Sequence, residues 1–148
     1  MSQVDEIKRL LQEAATTMKS DPKGAVAKLE AAYGIARQTG VDDDAAVVAE
    51  ELARGWARRK SAAKSLYYAR KATKLAPAQK ATWTTLAKTC ELVANRTRGE
   101  KVARRAQALY KAAAQSFKKA STMAKDPEDK HWLLELARDA ASQAKPKA

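Results

Sequence analysis

Apolar residues recur at intervals of three and four along nearly the whole chain, and no stretch alternates with a period of two. Ala49, Leu52, Ala53 and Trp56 make one such face; Ser65, Ala69 and Ala72 make another; positions 102, 106, 109, 113, 117, 120 and 124 make a third, with bases between them. The pattern predicts an all-α chain of seven helices, at roughly 3–19, 23–39, 43–59, 62–76, 79–95, 101–125 and 128–144. Punctuation falls where these segments meet. Ser20-Asp21-Pro22 and Asp126-Pro127-Glu128 read as helix starts, with Asp as cap and Pro in the first turn. Gly40 sits just past a helix end, and Asp42, Asp43 and Asp44 then suit the positive end of the next helix dipole.

The helices repeat. Adding 34 to Ala49, Leu52, Ala53 and Trp56 gives Trp83, Leu86, Ala87 and Cys90, which are again apolar and on one face. Ser65, Ala69 and Ala72 correspond to Ala113, Phe117 and Ala120 at an offset of 48, and to Ala25, Leu29 and Ala32 at an offset of 40. Small residues at these places let antiparallel helices approach closely, and the larger Leu or Phe fills the space toward the next hairpin. The three tryptophans and Phe117 are expected inside. The long segment 101–125 is expected to run past the stack, and residues 128–144 to cap it. At 148 residues the chain suits one domain, 1–144, with a frayed basic tail at 145–148.

Trp83-Thr-Thr-Leu86-Ala87 on a first helix, Ala113, Phe117 and Ala120 followed by Asp126-Pro127 on a second, and Pro77 six residues before Trp83 resemble the tetratricopeptide repeat (TPR) family over about residues 20–140. Ala53 and Ala87 stand where the family pattern has Gly, and the intervals of 40 and 48 are irregular. The resemblance implies a short curved α-solenoid of about three helical hairpins plus a C-terminal capping helix, with the first helix of each hairpin lining the concave side. In size class and repeat number the chain is also similar to small relatives of the kinesin light chains, some of which accompany bacterial tubulins. Its C-terminal half looks like the plant mitochondrial import receptor of the TPR type, whose membrane anchor has no counterpart here.

Charge changes the picture most. Residues 1–50 hold six bases and nine acids, whereas 51–148 hold 23 bases and eight acids. Ten bases and no carboxylate lie between Glu51 and Glu91. Ordinary solvated helices mix the two signs, and a one-sign surface repels itself, so this excess asks for a partner. Two basic surfaces are candidates. Arg54, Arg58 and Lys88, the last 34 residues beyond Arg54, form an expected strip in the groove that could grip carboxylates; the curvature implied by the resemblance favours this strip. Lys60, Lys64, Tyr67, Lys71 and Lys74, spaced by four, three, four and three, form a stripe facing away from Leu66, Ala69, Thr73 and Ala76. Lys101, Arg104, Arg105, Lys111, Lys118 and Lys119 give the long helix a comparable surface.

Candidate chemistry is sparse. The chain has one His, His131, and one Cys, Cys90, the latter on an apolar face and read as core. Its five glycines never cluster into a phosphate loop, no metal-ligand spacing occurs, and Asp42-Asp43-Asp44 lacks the remaining ligands of a calcium loop. Asn95-Arg96-Thr97 is a chance match to a glycosylation acceptor. No apolar run reaches the ~20 residues that span a bilayer, and the first residues carry acids where a secretory signal is apolar. The expectation is a cytoplasmic, non-catalytic adaptor without a cofactor. Its expected partner is an acidic protein, with a tubulin-like filament as the candidate by resemblance. An anionic membrane surface and nucleic acid are the alternatives.

Overall fold

A computed structural model describes residues 2–96 and 103–145. Among these residues the chain is all-α, with no strand and seven helices: α1 (Gln3–Thr17), α2 (Pro22–Thr39), α3 (Asp42–Arg58), α4 (Ala62–Leu75), α5 (Lys80–Arg96), α6 (Ala103–Met123) and α7 (Pro127–Ala144). Each end lies within two residues of the predicted one. Lys101, at the start of the long predicted segment, and positions 146–148 of the predicted tail lie outside the described residues.

The ends are set by local chemistry. Ser2 accepts from the Asp5 amide at 3.1 Å, Asp21 from Gly24 at 3.0 Å and Asp126 from Glu128 at 3.0 Å, so three helices have side-chain caps. Gly40 closes α2 in the left-handed conformation at φ 73°, which costs a glycine no Cβ clash. α3 has no side-chain cap and relies on Asp42, Asp43 and Asp44 in its first turn.

The helices gather into two compact units, 1–76 and 77–148. In the first, α1 packs on α2, α2 on α3 and α3 on α4. Its core is Ile7, Leu10, Ala14, Ala25, Val26, Leu29, Ala32, Ala36, Ala45, Val48 and Leu52. The helices come close because the contact residues are small. A Cβ on Gly55 would lie 2.9 Å from Val26 Cγ2 and 3.2 Å from Met18 Cε. Ser65, fully buried, donates to the Ala53 carbonyl at 2.7 Å and ties α4 to α3.

In the second unit α6 packs on both α5 and α7. Phe117, 1% exposed, is its largest fully buried side chain, among Leu109, Ala113, Ala120, Leu133, Ala137 and Ala140. Burying such a ring is worth about 2–3 kcal/mol. Trp83 donates its indole N–H to the Pro77 carbonyl at 2.8 Å, so the Pro–Trp spacing noted in the sequence is closed by a hydrogen bond.

The repeat is physical as well as textual. Ala25, Leu29, Ala32, then Ser65, Ala69, Ala72, then Ala113, Phe117, Ala120 are all 1% exposed or less. On α5 the structure turns the expected face. Ala87 and Cys90 are buried, but Trp83 and Leu86 are only half-buried, and Thr82, Thr85, Thr89, Val93 and Ala94 complete the inner side. Threonine can do this cheaply, since its hydroxyl bonds a carbonyl in the preceding turn: Thr82 to Gln79 at 2.9 Å and Thr89 to Thr85 at 2.7 Å. The tryptophans differ from expectation too. Trp56 and Trp83 are half-buried and Trp132 is 59% exposed, so of the four rings expected inside only Phe117 is fully enclosed.

Candidate functional site

The turn from α3 to α4 begins the predicted stripe, and its geometry moves one member. Lys60 lies outside α4 with φ 61°, in the left-handed region. Its amide bonds the Ala57 carbonyl at 3.0 Å and the Ser61 amide reaches back to Trp56 at 2.9 Å, which is a Schellman closure of α3. The helical stripe is therefore Lys64, Tyr67, Lys71 and Lys74. Lys64, Tyr67 and Lys74 are exposed and Lys71 is half-buried, while Leu66, Ala69, Thr73 and Ala76 opposite them are buried.

Beneath this stripe lies a polar cluster that the sequence reading missed. The Glu30 carboxylate on α2 accepts from Trp56 Nε1 at 3.1 Å and from the Tyr68 hydroxyl at 2.7 Å. Tyr68 stands edge-on to Tyr33, with centroids 5.5 Å apart, and to Tyr67, at 5.1 Å. Lys64 Nζ sits 4.1 Å from the Trp56 ring centre and the Arg59 guanidinium carbon 4.9 Å from it. Burial first, and Glu30 second, push the Tyr68 hydroxyl pKa upward. Burial also raises that of Tyr33, whose hydroxyl is enclosed without a hydrogen-bond partner among the described residues. The signal was present: Glu30 lies one turn from Tyr33, and partly buried Tyr and Trp need acceptors.

The groove strip divides between the two units. Arg54 and Arg58, both exposed, line a cavity of about 220 Å³ with Leu11 and Ala15 of α1 and Met18 just past its end. It adjoins a groove of about 560 Å³ between α1 and α3, bordered by Lys8, Gln12 and Val47. Arg54 is engaged there by Glu51 at 2.7 Å, so this groove carries both signs. Lys88 is exposed on α5 in the second unit. Near it the Glu91 carboxyl is pushed up, by burial first and then by Asp139, with Lys88 opposing.

Arg104 and Arg105 are exposed in the first turn of α6. Cys90 is 1% exposed. His131 is exposed and lies 3.2 Å from Glu135. Asp42 of the acidic triplet faces Arg37 at 3.8 Å. Among the described residues no group of three His, Cys, Asp or Glu side chains could hold a metal ion, and no helix is long and apolar enough to cross a membrane. No protein-family model matches the chain, and no curated protein matches it.

Proposed function

We propose that the chain is a non-catalytic helical-repeat adaptor of the TPR kind, and that the face of α4 docks an acidic protein. One observation carries this reading. Lys64, Arg70, Lys71 and Lys74 share a helix with no carboxylate, and among the described residues none of them forms an ion pair. Glu30 of the cluster beneath them accepts from Trp56 and Tyr68. Some bases elsewhere in the unit do meet acids: Arg9 meets Glu6 and Glu13, and Lys28 meets Glu13 at 2.7 Å. The basic face of α4 thus keeps its field for a partner, where complementary charge speeds and orients docking.

Preference shifts from the groove strip to α4 because Glu51 offsets Arg54. A protein is favoured over nucleic acid because aromatic rings are few on this face: the Trp56 ring is already covered by Lys64 and Arg59, which leaves Tyr67 as the exposed ring of the stripe. It is favoured over a membrane because the apolar side of α4 is packed inward. A tubulin-like filament is the member of this partner class that the kinesin-light-chain resemblance singles out.

The test compares three proteins as bait in the native cell extract at ~0.15 M salt. Wild type and R54E/R58E should retain the same acidic protein in fixed stoichiometry, and K64E/K71E/K74E should lose it. Tight retention of DNA or RNA at that salt, with no protein captured, would overturn the reading.

A further inference from the structure

The pair α6–α7 carries an open groove of about 670 Å³ with an apolar floor that includes Ala114, Leu134, Ala137 and Ala141. Its charged lining is Lys111 and Lys118 on α6, Arg138 on α7 and Lys145 just past the end of α7, without a carboxylate. Lys111 and Lys118 are one heptad apart, about 10.5 Å along the axis of α6 at 1.5 Å per residue.

The first unit holds a comparable face, and there it is filled. α4 packs on α3 and lays Tyr68 against Tyr33 and Glu30 of α2. Ala25, Leu29 and Ala32 of α2 match Ala113, Phe117 and Ala120 of α6, an offset of 88, and all six are buried. The same offset carries Glu30 to Lys118. In the first unit an acid at this position faces a helix without acids. In the second a base stands in its place, and no helix covers it among the described residues.

We propose that the α6–α7 groove receives an acidic amphipathic helix of a partner protein. The inference rests on the acidic-partner reading and gives it a second contact and a partner conformation. A helix is required because the groove offers no edge: its own peptide groups are bonded within α6 and α7, so an extended segment would leave its backbone unpaired against the floor. The small floor residues admit large knobs, Leu or Phe, at i, i+3 or i+4, and i+7 of the incoming helix. Asp or Glu on both flanks of that stripe then meet Lys111 and Lys118 on one side and Arg138 and Lys145 on the other.

The experiment uses the full chain and two labelled peptides of about 18 residues, or five turns. Both carry Leu at the stated spacing; one has Glu on both flanks and the other Lys. Fluorescence anisotropy at ~0.15 M salt should show the Glu peptide binding at least about tenfold tighter than the Lys peptide. K118E/R138E should weaken the Glu peptide by a similar factor. A141R, which fills the exposed floor without removing a base, should also weaken it, whereas K64E/K71E/K74E should leave it unchanged. That last variant separates this site from the α4 face, so either can fail alone. The proposal is overturned if neither peptide binds, if the Lys peptide binds equally well, or if K118E/R138E or A141R has no effect. It is equally overturned if A141R abolishes binding to phosphatidylserine vesicles or dissolves a dimer in equilibrium sedimentation, since the occupant is then lipid or a second copy.

Discussion

The two units solve one problem, closely packed small-residue helices, with different polar devices. In the first, buried or half-buried polar groups join helices: Ser65 bonds Ala53 across α3 and α4, and Glu30 gathers Trp56 and Tyr68 from two other helices. In the second, several buried hydroxyls serve their own helix, as Thr89 does with Thr85 and Ser116 with Ala112 at 2.8 Å. Polar groups join helices in the second unit too, Lys80 of α5 with Asp129 of α7 and Tyr110 of α6 with Asn95 of α5, but Ser65 of the first does so fully buried, while the second unit's core centres on one large ring, Phe117. The difference teaches where each is vulnerable.

The largest effect should come from that ring. Phe117→Ala should destabilise the second unit by about 3–5 kcal/mol, through lost transfer energy and the cavity left behind. Leu52→Ala in the first should cost about 2–5 kcal/mol. Chemical denaturation followed through Trp56 alone, or through Trp83 and Trp132 alone, reads the units separately. F117A should move only the Trp83 and Trp132 transition; a single transition shifted equally for all probes would show one cooperative block and remove the distinction.

Glu30→Gln is the counterpart in the first unit. It keeps the shape but removes the charge that strengthens two hydrogen bonds, and should cost about 1–3 kcal/mol in the Trp56-reported transition. An unchanged midpoint would mean that the cluster orients nothing.

Glu91→Gln sharpens the comparison through pH. Burial raises the Glu91 pKa above its ordinary 4.5 when the chain is folded. The folded state then binds more protons than the unfolded one between 4.5 and the raised value, so stability is full below 4.5 and is lost as pH rises through the folded pKa. E91Q should have a higher Tm than wild type at pH 7, and the gap should close near pH 4. A gap that widened on acidification would reverse the sign. The smallest effect belongs to Lys60→Gly, which relieves a left-handed backbone at the end of α3 but adds freedom to the unfolded chain. The two partly cancel, for a gain under about 1 kcal/mol.

Period and punctuation made the helices and their ends legible, because caps and turns act within a few residues: Asp21, Gly40 and Asp126 need no distant partner. The small-residue contacts were legible for the same reason, since Ala25, Ala69 and Ala113 recur at matching places. What the sequence hid depends on partners far along the chain. Glu30 looks like an ordinary surface acid until α3 and α4 bring Trp56 and Tyr68 to it, 26 and 38 residues away. The inner face of α5 was misjudged because hydropathy scores threonine as polar, while a helix carbonyl satisfies its hydroxyl. Spacing alone includes Lys60 in the α4 stripe, whereas the Schellman turn holds it at the end of α3. For the basic surfaces, spacing puts Lys64, Tyr67, Lys71 and Lys74 on one side of α4, but the ion pair that offsets Arg54 appears only in three dimensions.

The most direct test of the account is photo-crosslinking from position 67 in the native cell. Tyr67 is 56% exposed at the centre of the α4 stripe, so a benzophenone side chain there faces whatever docks. The account predicts one acidic protein joined to position 67, absent when Lys64, Lys71 and Lys74 are reversed to Glu, and absent from a control crosslinker at Val4 on α1. Nucleic acid or lipid at position 67, or the same protein joined equally from Val4, would contradict it.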